Sequence, residues 1–135
     1  MATSLSLTHT LPVHRGRAAL VALWSVQILL AGMFLLAGGS KLLGAPPMVA
    51  LFNAIGIGQW FRYVTGLIEV GSMLALLVPA VAVFGAVALV PTMIGAIVTE
   101  LFIVGGSPVP PAILLVGAAV VVWARRHELR RQTGR

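Results

Sequence analysis

AALVALWSVQILLAGMFLLAGGS, Ala18 to Ser40, carries no charged side chain. At 1.5 Å per residue, a helix of that run is long enough to cross a hydrocarbon core about 30 Å thick. Arg15 and Arg17 before it, and the small Ala37-Gly38-Gly39 near its end, also fit a secretory signal. A signal's apolar region covers about 7–15 residues, so this longer run is expected to stay in the membrane. Composition agrees. Of 135 residues, 59% are hydrophobic and 9% charged, against about 25% charged in a soluble domain.

Outward from this run the chain divides at its prolines and glycines. Pro46-Pro47 and Gly56 bracket Met48 to Ala54, which reads as a short helix lying at the membrane interface. Trp60 and Tyr63 follow, at the head of a second span, Trp60 to Val78. Pro79 turns the chain tightly into a third, Ala80 to Val104. Gly105-Gly106-Ser107-Pro108 breaks that span, and Pro110-Pro111 starts a fourth that ends near Trp123. The expected fold is an all-α integral membrane protein, a bundle of four transmembrane helices. Residues 1–17 read as a disordered N-terminus, 18–124 as the membrane domain and 125–135 as a basic tail. Seven Arg flank the two ends (Arg15, Arg17, Arg125, Arg126, Arg130, Arg131, Arg135), against Lys41 and Arg62 in the opposite loops. Positive charge is retained in the cytoplasm, so both termini are expected there. The location this implies is a membrane, crossed several times.

Three acids against nine Lys and Arg give a net charge of +6. In a soluble chain that excess would suggest nucleic acid. Here the basic residues flank apolar runs, so the partner expected is the lipid bilayer, and no nucleic acid. Without cysteine there is no thiol–disulfide chemistry, thiolate ligation or iron–sulfur cluster. His9, His14 and His127 lie outside the apolar runs, so no metal site and no haem between two histidines is expected.

The candidate site residues are the charges at membrane depth. Glu69 and Glu100 sit inside runs that are otherwise apolar. Such a group costs roughly 2.5–3.5 kcal/mol on insertion scales, and it commonly marks a pathway, a pocket or a partner. Glu69 lies seven residues past Arg62, about 10 Å deeper along a helix. With Lys41, these charges belong to one half of the membrane, where they can neutralise one another. Helical spacing puts Arg62, Thr65, Gly66, Glu69, Ser72 and Met73 on one face, and Gln27, Ala31, Phe34, Gly38 and Lys41 on another. Gly85, Ala88, Thr92, Gly95 or Ala96, and Thr99 form a small-residue stripe that would allow close packing. Pro91 is expected to kink the third span and widen the bundle below Glu100. The structural alternative stands beside each of these. Glu69 can be half of an ion pair with Lys41 or Arg62, Gln27 an interhelical hydrogen bond, and Trp60, Tyr63 and Trp123 interface belt residues.

Three segments resemble the DoxX family of small four-helix bacterial membrane proteins. They are Ala31 to Leu42 (AGMFLLAGGSKL), Phe52 to Gly56 (FNAIG) and Gly66 to Gly71 (GLIEVG), to which Met93-Ile94-Gly95-Ala96 adds a fourth match. The resemblance spans Val21 to Arg126, with Lys41 and Glu69 at polar positions of the pattern and Glu100 where such proteins often carry His. It implies a four-helix membrane bundle and a link to redox enzymes, since a related subunit belongs to a thiosulfate:quinone oxidoreductase. The function expected from it is an accessory or quinone-contacting subunit of a membrane redox assembly. Lys41, Arg62, Tyr63, Thr65 and Glu69 would line the quinone contact, and the partner would be a redox enzyme or a second copy of the chain. Two alternatives come from the residues alone. One is a small transporter exchanging protons at Glu69. The other is an enzyme on a lipophilic substrate, of isomerase or epoxide type, with Glu69 and Glu100 as catalytic acid and base.

Overall fold

The computed structural model describes residues 16–134, so the reading of residues 1–15 as disordered lies outside the described residues. Helix α1, Arg17–Leu42, contains the whole uncharged run, and the chain then bends at Gly44, whose φ of +70° suits glycine. Helix α2, Pro46–Ile55, has its prolines in the first turn and Gly56 as a left-handed cap at φ 81°. It is the short helix expected from the sequence. Its Phe52 is buried and meets Phe61 edge-on, with ring centroids 5.8 Å apart. Helix α3, Gln59–Leu76, turns through Pro79 into α4, Ala82–Thr99. The last turn of that rod, Glu100–Val104, winds as a π-helix closed by Gly105. Helix α5 covers Val109–Thr133.

These helices run up and down. Gly38 on α1 meets Gly66 and Val70 on α3, and Gln27 lies against Leu76, so the two helices are antiparallel. Likewise α4 packs on α3 through Gly85 against Ser72 and Ala75, and α5 on α1 through Gly117 against Leu30. The central core joins Leu30, Phe34, Met73, Leu76, Leu89, Met93 and Val121. The expected faces hold: α1 buries Gln27, Ala31, Phe34 and Gly38, and α3 buries Arg62, Gly66, Glu69, Ser72 and Met73. On α4 the stripe is used at Gly85, whereas Gly95 faces outward and Ala96 packs on the core.

Large apolar side chains cover the outside, among them Leu29, Leu36, Phe102, Ile113 and Trp123. A soluble monomer seldom exposes so much apolar surface. Among the described residues, three rods are long and apolar enough to cross a membrane: α1, α4 with its π-helical turn, and α5. The chain is a multi-pass membrane protein. The expected second span corresponds to α3, which is 18 residues long and carries Gln59, Arg62 and Glu69. Those polar residues keep it below the apolarity of the other three, and its placement between α1 and α4 gives it protein rather than lipid on its polar face.

Two further boundaries differ from the sequence reading. Helix α5 does not stop near Trp123 but continues through the basic segment. An Arg125–Glu128 pair one turn apart, 2.7 Å, supports that continuation. At Pro91 the α4 helix runs on, with the ring on the exposed face; the departure from α-geometry comes later, at Glu100–Val104.

The α1–α3 contact gives a direct expectation. A Cβ on Gly38 would sit 2.8 Å from the Val70 side chain and 3.0 Å from the Gly66 carbonyl oxygen. Gly38→Val should therefore force the helices apart and cost about 1–3 kcal/mol. The exposed Gly32 has open space around it, so Gly32→Val is the control. Thermal unfolding in detergent should separate the two; equal melting temperatures would refute close packing at Gly38.

Candidate functional site

Two polar layers lie at opposite ends of the apolar core. The first is built where α1 ends. Lys41 stands in the last turn of α1, where a cation suits the helix dipole. Its Nζ donates to both carboxylate oxygens of Glu69, at 3.1 and 2.9 Å. A third contact, to the Ala37 carbonyl, is long at 3.5 Å. Glu69 is 2% exposed and Lys41 12%, so the ion pair is inside the protein but open on the lysine side.

Arg62 does not reach Glu69. Its Nε donates to Gln59 Oε1 at 2.7 Å, and Nη1 donates to the Lys41 carbonyl. That carbonyl belongs to the last turn of α1 and has no partner within its own helix. Gln59 in turn donates from Nε2 to Asn53 Oδ1, 2.8 Å, and to the Val49 carbonyl, 3.1 Å. A continuous network therefore ties α2, the start of α3 and the end of α1 to the ion pair. Lys41, Arg62 and Glu69 together carry one net positive charge. An acceptor or an anion suits such a group better than a cation does.

The other sequence candidates lie apart from this pair or face elsewhere. Tyr63 is half-exposed on the outside of α3, with the Arg62 guanidinium 4.3 Å from its ring centre. The Thr65 hydroxyl already donates to the Phe61 carbonyl at 2.8 Å. Glu100 opens the π-helical turn and is half-buried; among the described residues its carboxylate makes no ion pair. Its nearest notable neighbour is Gly106, whose N–H returns to the Glu100 carbonyl at 3.1 Å. π-Turns are enriched at functional positions, but this one does not carry Glu100 into the Lys41 network.

The second layer is built on α1 at Gln27, between the core residues Leu23 and Leu30. Gln27, fully buried, donates from Nε2 to the Leu76 carbonyl at 2.7 Å. Its Oε1 accepts from Arg125 Nε at 2.9 Å. Arg125 is 6% exposed and also donates to Glu128 at 2.7 Å. The interhelical bond expected of Gln27 is present. Sequence reasoning placed Arg125 in a tail and did not single out Gln59 or Asn53. Gln59 had a signal, its three-residue spacing from Arg62. Arg125 had a weaker one, its three-residue spacing from Glu128.

The two layers share one device. Arg62 on α3 closes the carbonyl end of α1, and Gln27 on α1 closes the carbonyl end of α3. Each antiparallel helix thus donates a side-chain hydrogen bond to a terminal carbonyl of its neighbour, Leu76 on α3 and Lys41 on α1, the latter also accepting from the Gly44 N–H at 3.3 Å.

Among known families, the model described as the DoxX-like family matches residues 25–124. That stretch includes the Lys41–Glu69 layer and Gln27, and ends one residue before Arg125. No curated protein and no solved structure matches the chain.

Proposed function

The chain belongs to the DoxX-like family, and we propose that it serves as an accessory, quinone-contacting subunit of a redox assembly in a bacterial inner membrane. In this reading α3 is the fourth crossing and the Arg-rich ends of α1 and α5 face the cytoplasm, in line with the retention of positive charge there. One observation carries the reading. Lys41 is partly exposed, has two of its three donors on Glu69, and holds the third on Ala37 only at 3.5 Å. That proton is available to a ligand oxygen. The net positive charge of the group favours a carbonyl acceptor or a reduced, electron-rich oxygen.

A quinone supplies transfer of electrons and protons between membrane enzymes. The residue that would hold it is Lys41, through its third proton; Tyr63, half-exposed on the outside of α3, lies on another face. Thr65, whose proton is committed to Phe61, would contribute apolar contact rather than a donor. Arg62 and Glu69 would position Lys41 rather than touch the ligand. The transporter and acid–base readings draw less support, because Glu69 is closed in by Lys41 and by an apolar core.

The test uses the full chain in nanodiscs with a short-chain ubiquinone analogue, read by thermal unfolding. Ligand at a hundredfold excess over Kd should stabilise by about 2.7 kcal/mol. Lys41→Arg keeps the ion pair and should change the response; Tyr63→Phe, on the outer face of α3, should leave it unchanged. No shift for the native chain, together with no quinone carried through mild purification, would reject quinone contact. Recovery of a redox enzyme in stoichiometric amount from native membranes would separately support the accessory role.

A further inference from the structure

At the Arg-rich end, α1 and α5 line an open groove of about 470 Å³. Its floor and walls are apolar: Ala19, Ala22 and Val26 from α1, Val120 and Trp123 from α5. Its mouth is basic, with Arg126 and His127 on the rim. The groove does not involve Lys41, Glu69 or any residue of the proposed quinone contact.

We propose that this groove is a binding site for one anionic phospholipid, with an acyl chain along the small residues of α1 and the phosphate at Arg126 and His127. Three observations converge. First, Ala19 and Ala22 lack the side chains that would fill the seam, whereas deeper along the same two helices Leu30 packs closely over Gly117. Second, the groove follows the helix axes over eight residues on each side, Ala19 to Val26 and Val120 to His127, about 10 Å by helical rise. A lipid chain descends from the headgroup plane in that direction. Third, charge complements it. Arg17, Arg126, Arg130 and Arg131 lie on the exposed surface of this end, facing only Glu128 as an acid. The Arg126 side chain is already arranged at the rim: its guanidinium lies 4.5 Å from the Trp123 ring centre and Nη1 donates to the Trp123 carbonyl at 3.0 Å. Its remaining donors are free to point to a phosphate, and guanidinium is well suited to that group. Basic pockets between membrane helices are a known way to hold anionic headgroups.

The experiment is native mass spectrometry of the full chain released from nanodiscs of mixed phosphatidylglycerol and phosphatidylcholine. One phosphatidylglycerol should remain bound in preference to phosphatidylcholine. Arg126→Gln should weaken that preference about fivefold. Arg130→Gln, an exposed arginine outside the groove, should leave it nearly unchanged. Ala22→Leu fills the groove from an exposed position and should abolish retention while thermal unfolding stays close to native. Equal retention of both lipids overturns the proposal, as does an Arg130→Gln effect as large as that of Arg126→Gln, which would mean general surface charge. A dimer that excludes lipid and is broken by Ala22→Leu overturns it too, since the occupant would then be a second copy of the chain.

Discussion

Replacing Lys41 by Met should destabilise the protein by about 3–5 kcal/mol, because it leaves the Glu69 carboxylate 2% exposed and without its counter-charge. Both Glu69 oxygens bond to the same ammonium, so no part of the interaction survives the change. The double variant Lys41→Met with Glu69→Leu should recover most of the loss, since exchanging a whole buried pair for apolar side chains is often neutral or better. Unfolding in detergent with increasing denaturant measures all three proteins. If the double variant is no more stable than Lys41→Met, the cost lies in lost lysine packing and the buried-pair explanation fails. The same double variant separates structure from function: stable but without a quinone response, it would assign Lys41 to ligand contact.

Gln27→Leu is the second large effect. Interhelical hydrogen bonds in membranes average about 0.6 kcal/mol, so two lost bonds alone would cost about 1 kcal/mol. Burial raises the figure. Gln27 is 0% exposed, so its removal leaves the Leu76 carbonyl and the Arg125 Nε unpaired inside the bundle. Each such orphan costs about 1–3 kcal/mol, and more when charged. The expected loss is therefore well above the sum of the bonds, with Arg125 the larger share. Arg125→Met should be destabilising by itself yet relieve part of the Gln27→Leu defect. The coupling is read from the two single variants and the double; additivity within about 0.5 kcal/mol would refute a shared network.

These two variants also divide what could be foreseen from what could not. The inward faces of α1 and α3 follow from three- and four-residue spacing, which is a local property of a helix. Glu69 was legible because a lone acid in an apolar run needs a partner, and Lys41 because it ends the preceding span in the same half of the membrane. The choice of Lys41 over Arg62 was not legible. Both cations lie within reach by depth, and only the close approach at Gly38 and Gly66 brings the end of α1 onto Glu69. Arg62 instead donates to the Lys41 carbonyl, beside the Gly44 N–H. Arg125 was misread for a related reason: a run of arginines after an apolar segment ordinarily marks the membrane surface, and nothing local distinguishes the one that turns inward. Glu100 shows the reverse. It shares with Glu69 an apolar context, but the π-helical turn and Gly105 carry it out of the network.

By itself the sequence determined the membrane setting, the helix order, the short α2 and the buried faces of α1 and α3. Those depend on hydropathy and on the 3.6-residue period, which every residue expresses within its own segment. The tertiary structure decided the partners: Lys41 with Glu69, Arg62 with the end of α1, Gln27 with both the end of α3 and Arg125. Partner choice depends on the register between helices, which glycine contacts set across the bundle and which no single segment contains.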